Sequence, residues 1–180
     1  MANSSLPPLD IAAGDHEAYL RHALSLAQKS PPKPSNYRVG AILVNAATNE
    51  VLSTGYTLEL PGNTHAEQCC FEKLAQQHSL SGDDADGGSA LAAVLPDDVA
   101  LYTTMEPCSF RLSGNLPCVD RILQIGAAKI RTVYVGVYEP EKFVSDNSGR
   151  QKLQDAGIAY VHVPGLEKEI LEVATAGHEK

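Results

Sequence analysis

Only four cysteines occur in 180 residues, too few for a disulfide scaffold. None is needed, because a chain this long buries about 70% of its unfolded surface in a single domain. No apolar run approaches the length of a membrane span. The opening MANSSLPPLD has neither the basic start nor the apolar stretch of a secretory signal. These absences predict reduced thiols and a protein of the cytoplasm, extending to the nucleus. Basic residues are also scarce, 14 Lys and Arg against 22 Asp and Glu, for a formal net charge of −8. No window is dominated by them, which argues against a long nucleic acid as partner and leaves room for a local patch holding one phosphate. There is no G-x-x-x-x-G-K-[ST] loop to cradle a triphosphate, and no internal repeat.

What is present reads as alternating helices and strands. Residues 1–14 form a polar, proline-containing tail, and 15–180 form one domain. Leu20, Ala23, Leu24 and Ala27 make one stripe of a helix over 15–29, which SPPKPS stops. VGAILVN and VLSTGY are strands joined by the turn NAATNE, so they should pair antiparallel. A helix follows over 65–77. SGDDADGGSA has nothing to bury and reads as an exposed loop. VALYTT is a third strand, IRTVYVGVY a fourth and IAYVHV a fifth, with helices expected over 119–125, 150–156 and beyond 166. The alternation predicts an α/β layered domain around a mixed sheet.

The chemistry concentrates in NTHAEQCCFEK and EPCSFRLSGNLPC. His65 and Glu67 sit about 200° apart on a helix, so they share no face. They converge only on a point off the helix end, where first-turn side chains splay around the axis. A metal at a helix N-terminus meets that condition. Cys108 leaves a strand end after TTMEP, and Cys118 follows Pro117, a residue suited to a helix start. Gly114 and Asn115 let the chain between them turn back. Two thiolates and one imidazole leave a fourth tetrahedral position for water, the arrangement of catalytic rather than structural zinc. His-x-Glu followed by Pro-Cys is the ligand signature of zinc deaminases, with the glutamate as acid and base. The second half departs from it, being C-x9-C instead of C-x2-C. Thr64 and Glu67 also satisfy the S/T-x-x-E capping box. A Glu67 held in that box could not serve as the acid and base, so the two readings exclude each other.

Between about Tyr37 and Ile158 the wording STGYTLELPGNTHAEQCC, TTMEPCSFRLSGNLPCVDRIL and GVYEPEKF resembles the cytidine deaminase superfamily. Within it, the chain is most similar to the fungal pyrimidine deaminases of riboflavin biosynthesis, whose second cysteine also follows a stretched glycine-containing loop. The resemblance implies a three-layer αβα domain with a central mixed five-stranded sheet. It implies Zn2+ held by His65, Cys108 and Cys118, with Glu67 as the catalytic carboxylate. The implied reaction is deamination of 2,5-diamino-6-ribitylamino-4(3H)-pyrimidinone 5′-phosphate, by a deaminase domain standing alone and forming a homodimer.

Candidate substrate contacts are Asn36 before the first strand, Thr57 and Glu59 before the metal helix, and Arg111 and Asn115 between the cysteines. Arg111 is the planar donor that could take a phosphate bidentately. Each of these also has a structural reading, as a loop cap or a solvated side chain. Cys69, four residues after His65, is a rival ligand, although a small buried cysteine on the inner helix face is the commoner role. Two other functions compete: a deaminase of cytidine, deoxycytidylate, guanine or a tRNA base, and a structural zinc module with a closed four-ligand site.

Overall fold

The computed structural model describes residues 6, 8–80, 89–140 and 148–179. A five-stranded sheet of order β2-β1-β3-β4-β5 runs through them. Its strands are β1 (Gly40–Asn45), β2 (Glu50–Tyr56), β3 (Val99–Met105), β4 (Ile130–Val137) and β5 (Ala159–His162). β1 pairs antiparallel with both β2 and β3, while β3–β4 and β4–β5 are parallel. The sheet is mixed, as the short turn between the first two strands requires. Every residue of β3 is buried, as expected of a central strand covered on both faces.

The helices divide between those faces. On one lie α1 (His16–Ala27) and α6 (Glu167–Ala174); on the other lie α2 (Ala66–Gln77), α3 (Ser89–Val94), α4 (Cys118–Ile125) and α5 (Gly149–Asp155). Two apolar clusters result. Tyr19, Leu20, Leu24, Ile42 and Ile170 fill the first, and Leu43, Phe71, Leu101, Ile122 and Leu153 the second. The architecture is the expected three-layer αβα. Asp15 caps α1 by accepting from the Ala18 amide at 3.1 Å, and the prolines beyond Ser30 prevent its continuation.

Two sequence expectations need amendment. The tail expected over 1–14 is tied down at Ile11, which packs on the first cluster and whose carbonyl accepts from Asn49 Nδ2 at 2.7 Å. The loop expected over 81–90 falls mostly outside the described residues, but its last two residues open α3. That six-residue helix is too short to show a period, and it exists because Leu91 and Leu95 bury into the core. Cys118 opens α4, as Pro117 before it suggests, with Pro117 as the cap in extended backbone.

Two glycines set how closely helices seat on the sheet that carries the site. A Cβ on Gly40 would lie 1.8 Å from the Ala23 carbonyl oxygen of α1, and one on Gly55 would lie 2.2 Å from the Ala66 oxygen of α2. Both obstacles are helix backbone, so relief requires moving a helix. Gly55→Ala should lower stability by about 1–3 kcal/mol, the usual cost of overpacking. Urea unfolding measures this, and an unchanged midpoint would show that α2 shifts freely.

Candidate active site

The site gathers at the C-terminal ends of β3 and β4 and at the start of α2, where open α/β sheets leave a crevice. His65 is the N-cap of α2. Its Nδ1 lies 3.5 Å from Cys108 Sγ and 3.6 Å from Cys118 Sγ. Among the described residues these three form the one His/Cys/Asp/Glu group whose ligand atoms all lie within 4.8 Å of one another. Tetrahedral zinc with Zn–S of about 2.3 Å and Zn–N of about 2.0–2.1 Å spaces nitrogen and sulfur ligands about 3.6 Å apart. The observed separations therefore fit that ion, with one coordination position left over. Cys69 is buried outside the group, as is Cys70, whose Sγ faces the Ala41 oxygen at 3.5 Å. Nothing among the described residues closes the site with a fourth ligand.

The start of α4 tunes the sulfurs. The Cys118 amide points at Cys108 Sγ at 3.4 Å, and the Val119 amide donates to the Cys108 carbonyl at 3.1 Å. A hydrogen bond from the Cys118 thiol, helped by His65, lowers the Cys108 pKa to about 4, while the same contact and burial push Cys118 upward. The two thiols therefore titrate as a coupled pair, Cys108 being the more readily ionised.

Glu67 is 3% exposed. Burial, then the charge of Cys108, raises its pKa above the usual carboxylate range. Oε1 lies 3.2 Å from the Thr103 hydroxyl, which also contacts the Met105 carbonyl at 2.7 Å. The one hydroxyl hydrogen of Thr103 is thus offered to two acceptors, Glu67 and the Met105 carbonyl. The capping-box reading fails. Thr64 Oγ1 donates to the Leu60 carbonyl at 2.9 Å, and the reciprocal bond to the cap comes from Gln68, whose Oε1 accepts from the His65 amide at 3.4 Å.

A cleft of about 280 Å³ opens over these groups, with His65, Glu67 and Cys108 in its wall. Of the candidate substrate contacts, Asn36, Thr57 and Arg111 line it. Asn36 Nδ2 donates to Asn63 Oδ1 at 3.0 Å, and Thr57 Oγ1 accepts from the Val39 amide at 3.0 Å. Arg111 is buried, and its guanidinium clamps the inter-cysteine loop to α2. One Nη donates to Gln68 Oε1 at 3.0 Å, the other to the Asn63 carbonyl, and Nε is left without a partner. The fork expected for a phosphate is thus engaged with the protein. Glu59 and Asn115 are not brought to the cleft wall. Glu59 pairs with Lys73 at 2.7 Å and accepts from the Tyr56 amide, and Asn115 is exposed and turned back onto Ser113. Phe110, 55% exposed, stands at the cleft rim.

Other groups at the cleft escaped the sequence reading. Glu106 and Glu139 both line it. Each begins a Glu-Pro pair just beyond a strand, and pairing of β3 with β4 brings the two pairs together. That repeated position was the available signal. The Glu106 carboxylate accepts from Tyr160 Oη and from the Glu139 amide, both at 2.7 Å. The Glu139 pKa is raised to about 7 by burial, then by Cys108 and Glu106. Behind Asn36 and Tyr37, His178 Nε2 donates to the Asn36 carbonyl at 2.9 Å, and its ring packs 5.0 Å from that of Tyr37. A contact spanning 142 positions carries no sequence pattern.

A three-layer αβα domain with a His/Cys/Cys triangle and a buried carboxyl at the ends of its parallel strands defines the class of zinc-dependent deaminase domains. The comparisons with known proteins bear this out. Residues 13–136 match the family described as the cytidine and deoxycytidylate deaminase zinc-binding region, and the chain belongs to that family. It is 35% identical to a diaminohydroxyphosphoribosylamino-pyrimidine deaminase of Schizosaccharomyces pombe, across 98% of this chain and 40% of that relative's length. Among solved structures it is similar to the Aspergillus oryzae Rib2 deaminase, a C-terminal deletion mutant, at 50% identity and TM-score 0.82, covering 92% of this chain and 93% of that one. The same enzyme in complex with DARIPP matches at 50% identity and TM-score 0.79, over 91% and 92% of the two chains. No helix among the described residues is long and apolar enough to cross a membrane.

Proposed function

We propose that the protein catalyses hydrolytic deamination of 2,5-diamino-6-ribitylamino-4(3H)-pyrimidinone 5′-phosphate to the corresponding 2,4-pyrimidinedione, in riboflavin biosynthesis. One observation carries the reading: a buried Glu67 beside a nitrogen–sulfur–sulfur triangle of zinc dimensions, in the wall of one cleft. The solved relative in complex with DARIPP, 50% identical across nearly the whole chain, supports the choice of substrate.

His65, Cys108 and Cys118 would hold the zinc. When bound there, the ion supplies Lewis acidity and a water ionised near neutral pH. Glu67 moves the protons. It takes one from the attacking water and gives it to the ring nitrogen beside C2, then carries the proton of the new hydroxyl to the departing amine. The C2–N bond breaks, ammonia leaves, and oxygen replaces it. Thr103 orients the Glu67 carboxyl. Asn36 and Thr57 meet the substrate from the cleft wall, and Arg111 holds the loop that forms its rim. The same reading has the enzyme working as a homodimer in the cytoplasm or nucleus. Exposed Phe110 and Leu112 beside the cleft offer apolar surface that a partner copy would cover, and sedimentation equilibrium tests that.

Ammonia release tests the function. Zinc-loaded protein should turn over the ribitylated diaminopyrimidinone phosphate with a kcat/KM at least about 10²-fold above those for cytidine, deoxycytidylate and guanine. A preference for any of those three would assign a different substrate.

A further inference from the structure

We infer that residues 175–178, the turn beyond α6, latch the loop that carries Asn36, with His178 as a positioning residue acting through it. This rests on the deaminase reading above, which places Asn36 against the substrate. The loop over 31–39 lies between α1 and β1 and contributes Ser35, Asn36, Tyr37 and Val39 to the cleft wall. It has no helix or strand of its own, and residues 31–35 are exposed. Prolines at 31, 32 and 34 offer no amide donor, so backbone pairing can do little to fix its shape. The side-chain contacts of Asn36 add little more. Its Nδ2 donates to Asn63 Oδ1 and its Oδ1 accepts from the Ser35 hydroxyl, both at 3.0 Å, and both partners are exposed loop residues.

What holds the loop comes from far along the chain, and none of residues 175–178 lines the cleft. The base of this segment is fixed. Leu166, Ile170 and Ala174 are buried in the first apolar cluster, and the Ala174 carbonyl accepts from the Arg38 amide at 3.1 Å. Beyond Ala174 the chain turns, the His178 amide donating to the Thr175 carbonyl at 2.9 Å. The turn lays Gly177 on the loop so closely that a Cβ there would lie 2.3 Å from the Lys33 nitrogen and 2.6 Å from the Pro32 carbonyl carbon. His178 then reaches across, its Nε2 donating to the Asn36 carbonyl at 2.9 Å and its ring packing 5.0 Å from that of Tyr37. A carbonyl only accepts, so Nε2 must carry a hydrogen, as it does in the imidazolium and in one neutral tautomer. The loop is thus gripped at 32, 33 and 36–38 by a segment rooted in the core. The segment is the rigid partner, and the loop is what it positions.

Amide hydrogen exchange followed by mass spectrometry reads the latch without turnover. In zinc-loaded His178→Ala protein, peptides covering 35–39 should exchange at least about fivefold faster, the effect of one lost hydrogen bond on a local opening equilibrium. Peptides of α2 should keep their wild-type rates. His178→Gln retains a side-chain N–H donor and should recover most of the protection. Gly177→Ala leaves His178 intact but drives the turn off Pro32 and Lys33, and should reproduce the His178→Ala result. Unchanged exchange over 35–39 in both variants, or equal loosening of α2, overturns the latch. A loop in place only part of the time raises KM by the inverse of that fraction. His178→Ala should therefore raise KM about three- to tenfold with kcat within about twofold, and His178→Gln should restore it. An unchanged KM, or a fall in kcat alone, overturns the positioning role. If the wild type does not turn over the ribitylated phosphate, the proposed function fails, and the exchange rates still decide whether residues 175–178 hold the loop.

Discussion

Glu67→Gln protein should keep its zinc and its fold while turnover falls by about 10²–10⁴, the range that general acid–base groups contribute. Glutamine fills the same volume and can still meet the Thr103 hydroxyl 3.2 Å from Oε1, but it cannot carry a proton between water, ring nitrogen and leaving amine. No ion pair is lost, because Glu67 makes none among the described residues. Stability should instead hold or rise. Burial raises the Glu67 pKa in the folded protein, so the native state binds this proton more tightly than the unfolded chain does. The resulting penalty is absent below the ordinary carboxylate range and grows as pH rises above it. The variant's Tm should therefore match the wild type at pH 4 and equal or exceed it at pH 7. Metal analysis, Tm and ammonia release on one preparation check all three. A structural zinc module would show no such separation of activity from folding, and a loss of less than about tenfold would remove Glu67 from the mechanism.

Much of this site could be read before any coordinates, and for a physical reason. Zinc ligands and an acid–base partner need fixed residue types at element ends, so the residues proposed for those roles, His65, Glu67, Cys108 and Cys118, leave short local patterns. Alternating helix and strand periods gave the layers and the antiparallel start of the sheet. Substrate contacts were less legible because they depend on which way a loop side chain turns. Glu59 and Asn115 have suitable types and positions, yet one is taken by Lys73 and the other faces solvent. Arg111 looked like a phosphate fork and became a brace, since Gln68 and Asn63 reach it first. Glu106 and Glu139 come together only through the parallel register of β3 on β4, a long-range fact that no local window contains.

Cys118→Ser should lose both zinc and activity, with turnover falling at least as far as in Glu67→Gln. Serine keeps the helix start but offers an alcohol in place of a sulfur that ionises on metal binding. The mechanism leaves a second signature in the wild type. With the Cys108 pKa lowered to about 4 and that of Cys118 raised, the pair carries one proton at neutral pH. Zinc needs both sulfurs as thiolates, so binding must expel that proton. Affinity then rises with pH, by about tenfold per unit between pH 7 and 8 from this proton alone. Calorimetric zinc titrations in two buffers of different ionisation enthalpy count the protons directly. Release of at least one per ion fits a thiol pair that shares a proton. Release of none would mean that both sulfurs are already ionised, and then the amides of α4 and His65 stabilise two thiolates rather than one.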